Sequence, residues 1–150
     1  MKRLFPGTRV LVADGAKAMV FRNAGDAQAP NLKLERSYGQ DNPPTRDQGS
    51  DKPGRTNDPF GRRSSMETPD WHRLAEDRFI QSLAADMAAD LSAGAYEKLV
   101  VVAPPIALGT LRKAMSAAVL GAIACEIGKD LTKHPVAEIE KAVTKALAEA

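Results

Sequence analysis

The longest uninterrupted apolar run is Leu99 to Ala103, LVVVA. It is too short for a membrane span and rich in valine, so it reads as a strand buried on both faces. Pro104 and Pro105 follow, cannot donate ladder hydrogen bonds, and open a helical pattern at once. The strand therefore ends in a sharp turn at the carboxyl edge of a sheet, where open α/β folds place ligands.

Upstream, Val10 to Ala13 is apolar, Asp14-Gly15 is a turn signal, and Ala18 to Phe21 resumes the β-prone pattern, which predicts an antiparallel hairpin. After a loop holding Gly25, Asp26 and Pro30, Leu32 and Leu34 alternate with Lys33 and Glu35 as a half-exposed third strand. Thr68-Pro69-Asp70 starts a helix expected to run to about Leu91 and to stop before Gly94, with Ile80, Leu83, Met87 and Leu91 on its apolar face. Beyond the central strand, Leu108, Leu111, Met115, Ala118 and Val119 predict one helix ended by Gly121. Ile123, Cys125 and Ile127 form a fifth alternating strand, and Pro135 opens a last helix packed through Val136, Ile139, Val143 and Leu147. The order strand, strand, strand, helix, strand, helix, strand, helix predicts a mixed five-stranded α/β sheet of the ribonuclease H-like class. A flavodoxin-like doubly wound sheet is the alternative.

At 150 residues the chain is the size of a single domain. The exception is the segment from about 39 to 69, dense in Gly, Pro, Asp, Asn, Arg and Ser, which predicts a long flexible loop. A net charge of +2 with 27% charged residues leaves no global field, so affinity for nucleic acid has to come from local clusters. The single cysteine, Cys125, excludes an internal disulfide and reads as a buried, inert thiol. Pro6, Gly7 and Arg9 interrupt any signal-peptide pattern, so a cytoplasmic location with no membrane partner is expected.

Four stretches, VLVADGAKAMVFRN, DPFGRRSSMETPDWHRLAEDRFIQSLA, LVVVAPPIALGTLR and EIGKDLTKHPVAEI, together resemble the bacterial host attachment proteins. The relatives of that family include bacterial proteins similar to the central domain of archaeal and eukaryotic release factors. The resemblance implies a ribosome-facing role and a Gly-Gly-Gln tripeptide in the loop after the third strand. Here that tripeptide is lacking: Gly39-Gln40 is a partial echo, and Gly61-Arg62-Arg63-Ser64 leads into the helix.

A ribonuclease H-like nuclease needs carboxylates converging on divalent ions. Asp14 and Glu76 could supply two, the central strand ends without a third, and Asp130 is a weak substitute. His72 and Glu76, one turn apart, are a candidate acid-base pair, and Asp14, His72 and Glu76 together are the candidate hydrolytic set. Ion pairing of His72, Arg73 and Glu76 at the helix start is the plainer reading, as a turn role is for Asp14, and His134 reads as exposed or capping. No phosphate-binding glycine loop or nucleophile elbow is present, and no cofactor or metal is expected. The basic loop residues Arg55, Arg62 and Arg63 with the aromatic Phe60 suit structured RNA or the ribosome, with Arg112 adding a basic group near the start of the helix after the central strand. A non-enzymatic binding module is thus the leading expectation, ahead of a hydrolase acting on RNA or a transfer-RNA ester and of an attachment scaffold.

Overall fold

Alternation and turn chemistry shape one sheet. The computed structural model describes residues 2–39 and 68–150, with the side chains of the long helix from residue 74 onward. Strands β1 (Arg9–Ala13), β2 (Ala18–Asn23), β3 (Leu32–Tyr38), β4 (Leu99–Val102) and β5 (Ile123–Ile127) stand in the order β3-β2-β1-β4-β5. The first three form an antiparallel meander, and β4 and β5 add in parallel to β1. Helices α1 (Thr68–Ser92), α2 (Pro105–Ala114) and α3 (Ala117–Ala122) cover one face, and α4 (Val136–Glu149) covers the other. The expected mixed five-stranded α/β sheet is what the chain adopts.

β1 and β4 sit mid-sheet with every residue buried, as a strand covered by helices on both sides requires. Leu11, Ala13, Leu99 and Val101 face Ile80, Leu83 and Met87 of α1 and Leu108 and Leu111 of α2. Val10, Val12, Val100 and Val102 face Ile139, Val143 and Leu147 of α4. Helix α1 stops where glycine permits it to: Gly94 has φ +81°, and the Ala95 and Gly94 amides close back on the Asp90 and Leu91 carbonyls.

Five local expectations need correcting, the first being that Val136 packs with the last helix: it is exposed, and α4 packs through Ile139, Val143 and Leu147. The helix after β4 is two helices, because Met115 is extended (ψ 145°) and Ser116 starts a new helix by accepting a hydrogen bond from the Val119 amide at 3.2 Å. Gly121 lies inside α3, and Ala118 is exposed. Leu34 is 55% exposed because β3 is an edge strand reaching past the cover of α4. Ile123 joins the α1–α3 core whereas Cys125 packs on the α4 side, because the register between β4 and β5 shifts around Ala124. Cys125 is half-buried, and burial pushes its thiol up, the direction expected of an inert group.

One buried charge ties the layers together. Arg9, at the first position of β1, is only 4% exposed. Its guanidinium donates to Asp90 Oδ2 of α1 at 2.6 Å and to Glu35 Oε1 of β3 at 3.2 Å, and lies 4.7 Å from the centre of the Tyr96 ring. Glu35 reaches it through a bulge: Phe21 faces Leu34 and Val20 faces Arg36, so Glu35 is the extra residue of β3. The same bulge turns Arg36 and Tyr38 toward α1, where Arg36 donates to Asp90 at 3.0 Å and Tyr38 donates to Asp86 at 2.7 Å. Burial by itself pushes the Asp90 carboxyl up, but the hydrogen bond and charge of Arg9, with help from Arg36, hold it below its usual range.

The consequence is asymmetric. Asp90→Ala leaves the buried cation short of its closest partner and should cost about 3 kcal/mol in urea unfolding. Arg9→Met leaves only carboxylates with access to water, Asp90 at 20% and Glu35 at 32% side-chain exposure, and should cost clearly less. Because the folded Asp90 value is depressed, its contribution is complete above the unfolded value and is lost as pH falls through the folded one. Asp90→Ala should therefore also flatten the acid limb of the stability curve.

Candidate functional site

The carboxyl ends of β1, β4 and β5 carry the groups singled out by chemistry. After β1 the chain turns at Asp14, whose Oδ1 accepts hydrogen bonds from the Ala16 and Lys17 amides at 2.7 and 2.8 Å. That is the self-bonded turn its sequence suggests. Its other oxygen, Oδ2, lies 3.3 Å from Thr132 Oγ1, which in turn donates to Asp130 Oδ1 at 2.7 Å. The Thr132 hydroxyl and amide both hold the Asp130 carboxyl below its usual range.

Helix α1 runs antiparallel to β1, since Asp90 meets Arg9 at the start of the strand and Glu76 packs on Gly15 just past its end. A Cβ at Gly15 would lie 2.9 Å from Glu76 Cδ. The fold thus brings Asp14, Glu76 and Asp130 to one edge. Among the described residues, no three His, Cys, Asp or Glu side chains stand close enough to hold a metal ion. His72 lies one turn before Glu76 on α1, but its side chain, like that of Arg73, falls outside the described residues. His134 is exposed at the start of the last helix, as expected.

Two open clefts flank Glu76. One of about 520 Å³ is bounded by Gly15, Tyr38, Gly39, Glu76, Phe79 and Ser82. Its floor is stiffened by an edge-to-face pair of Tyr38 and Phe79, with ring centres 6.4 Å apart. The other, about 560 Å³, runs between α1 and α2 along Asp77, Gln81, Ile106, Thr110 and Lys113. Ile106 is 85% exposed at its rim.

Gly39 is the last described residue before the segment 40–67. Its φ is +97°, and a Cβ there would lie 2.4 Å from the Ala16 carbonyl oxygen and 2.7 Å from Lys17 Cα. β3 therefore ends pressed against the β1–β2 turn, and α1 begins at the same edge. The residues expected to make the contact, Arg55, Phe60, Arg62 and Arg63, lie outside the described residues. Arg112 is not near the start of the helix after β4 but in the last turn of α2, a fork on Glu126 of β5 with Nε–O and Nη2–O distances of 2.5–3.2 Å. That pair, most of all its hydrogen bond, raises the guanidinium's affinity for its proton.

The model of Bacterial archaeo-eukaryotic release factor family 12 matches residues 7–143. The chain belongs to that family. The match runs from just before β1 into α4, so the sheet edge just described is part of the family domain and not an appendage. The release-factor relation implied by the four stretches is therefore shown. Comparison with curated proteins gives no match. Among the described residues no helix is long and apolar enough to cross a membrane.

Asp14 and Glu76 lie at this edge, and sequence reasoning missed Thr132, which lies beside Asp14 from 118 residues away and donates to Asp130. Only Asp130-Leu131-Thr132, a local side-chain-to-backbone turn with a 3.1 Å bond from the Thr132 amide, gave any hint. The two edge glycines should behave differently. Gly39→Ala meets backbone atoms at a positive φ and should destabilise by about 2 kcal/mol or more. Gly15→Ala meets only the movable end of Glu76 and should cost little; thermal melts of the two variants check the contrast.

Proposed function

We propose that this release-factor-family chain is a cytoplasmic, non-enzymatic module that grips structured RNA or the ribosome through Arg55, Phe60, Arg62 and Arg63. The observation that carries the reading is where the described chain stops and resumes around the arginine-bearing segment: Gly39 is packed on the β1–β2 turn, and Thr68 begins α1, whose Glu76 lies against Gly15 at the same edge. Contact residues generally sit on segments carried by a structured scaffold. Arginine gives bidentate phosphate contacts and phenylalanine a stacking surface, the chemistry structured RNA offers a partner. Family membership supports a translation-related setting, and the strand order supports the ribonuclease H-like assignment. Arg112 is a secondary contact in this reading, because a phosphate there would have to displace Glu126. The resemblance to host attachment proteins is taken as kinship of fold. An attachment scaffold would require the chain at the cell surface, which fractionation of producing cells would reveal.

Arg62→Ala with Arg63→Ala should weaken co-sedimentation with ribosomes severalfold and reduce the salt dependence of RNA binding, at an unchanged melting temperature. Unaltered co-sedimentation of this double variant would reject the arm as the contact.

One observation favours a second reading: Asp14 and Glu76 do share an edge, beside a cleft. A hydrolase acting on RNA or a transfer-RNA ester through Asp14, His72 and Glu76 would cleave labelled RNA with magnesium or manganese present. It would lose that activity in Glu76→Gln.

A further inference from the structure

At the opposite edge of the sheet, where β1, β4 and β5 begin, lies a cleft of about 280 Å³ with a different character. Its charged lining residues are Lys2, Arg3 and Lys98, and among the described residues no acidic side chain lines it. Its apolar wall includes Phe5, Ile123 and Leu147. The clefts beside Glu76, by contrast, each carry at least one carboxylate.

Phe5 is the unusual member. It is 55% exposed, yet it stands on a turn that is fastened from several sides. The Thr8 amide donates to the Phe5 carbonyl at 3.1 Å, and Gly7, at φ +82°, donates to the Asn23 carbonyl at 2.9 Å. The fully buried Asn23 side chain donates to the Leu4 and Phe5 carbonyls at 2.7 and 3.2 Å, while Leu4 beside it is sunk in the core at 1% exposure. Lys2 is fixed as well: its amide donates to the Leu147 carbonyl at 3.0 Å and its ammonium to the Ala124 carbonyl at 2.8 Å. Two of the three ammonium protons of Lys2 still point elsewhere. A ring held open to solvent on a fixed mount, beside three cations, is preorganised for a flat, anionic guest.

We infer that this cleft is a binding site for one nucleotide unit of single-stranded RNA, its base stacked on Phe5 and its phosphates neutralised by Lys2, Arg3 and Lys98. Basic grooves with an aromatic platform bind unpaired nucleic acid in this way, with little demand on sequence. None of the residues that line this cleft belongs to the arginine-bearing segment.

Binding of a fluorescein-labelled ten-nucleotide oligoadenylate, followed by anisotropy over a salt series, tests it. Phe5→Ala should raise the Kd about tenfold, the loss of one stacked base. Lys98→Glu should raise it at least as much and make the salt slope shallower. The charge-matched control Lys141→Glu, exposed on α4 and lining neither this cleft nor those beside Glu76, should change it little. Both sites of substitution in the cleft are exposed, and melting temperatures should confirm that each variant folds. The inference is overturned if Phe5→Ala or Lys98→Glu binds like the unmodified chain. It is equally overturned if the oligonucleotide does not bind, including the case in which phosphatidylserine vesicles bind instead. Adding the Arg62→Ala, Arg63→Ala double variant separates the two contacts. Binding lost only in the cleft variants removes the arm, and binding lost only in the double variant removes the cleft.

Discussion

The interaction on which the rest of the structure depends is the burial of the Arg9 guanidinium. A cation inside a protein is tolerated only when its partners are fixed in place, so the charge dictates where β3 and α1 must be. Asp90 sets the position of the end of α1 against the start of β1, and Glu35 sets the bulge in β3. The Tyr96 ring covers the cation from the segment leading to β4, and its hydroxyl donates to the Met87 carbonyl at 2.8 Å. β3 and the α1–β4 stretch, far from β1 in sequence, are therefore indexed to one side chain. The apolar cores then supply bulk stabilisation without having to specify register.

That indexing reaches the far edge of the sheet through rigid elements. With one end of α1 fixed at Asp90, the helix, antiparallel to β1, delivers Glu76 to Gly15 at the other end. With β3 shifted by one residue at Glu35, Tyr38 faces α1 and Gly39 falls against the β1–β2 turn. A one-residue change in that register would put Tyr38 on the other face and move the stem from which the arginine-bearing segment departs. The bulge is thus the feature that connects a structural ion pair to the geometry of the candidate site.

The fold was legible where the signal is periodic or stereochemical. The double-sided burial of Leu99 to Val102, the proline stop, the Asp14-Gly15 turn and the glycine end of α1 all follow from residues a few positions apart. What the pattern could not show was set by contacts distant in sequence. Arg9 looks like a polar residue ahead of a strand until Glu35 and Asp90 are brought to it from 26 and 81 residues away. Asn23 looks like a loop residue, yet its side chain also accepts the Gly25 and Asn31 amides and so shapes the whole β2–β3 connection. Both strand bulges were invisible for the same reason: alternation predicts which residues share a face but not where an extra one is inserted. At the candidate site, Asp14 and Glu76 were readable from their element positions, whereas the Thr132 link and the basic cleft at the opposite edge needed the tertiary fold.

Charge distribution constrains what each edge can do. Asp14, Glu76, Asp77 and Asp130 lie at the carboxyl edge, where Lys113 of the cleft between α1 and α2 offsets them only in part, so these carboxylates oppose a phosphate there. Nor is Asp14 available at no cost as a ligand or base, because its Oδ1 already accepts the two amide hydrogen bonds that close the turn, while its Oδ2 lies 3.3 Å from Thr132 Oγ1. Recruiting it would mean giving up those bonds in a turn against which Gly39 is packed, and so loosening the stem of the loop at the same moment. In the proposed reading, an anionic partner at this edge is therefore met by the cations of the arginine-bearing segment, as an extension of the scaffold. At the amino edge the scaffold itself is basic, and there no such extension is required.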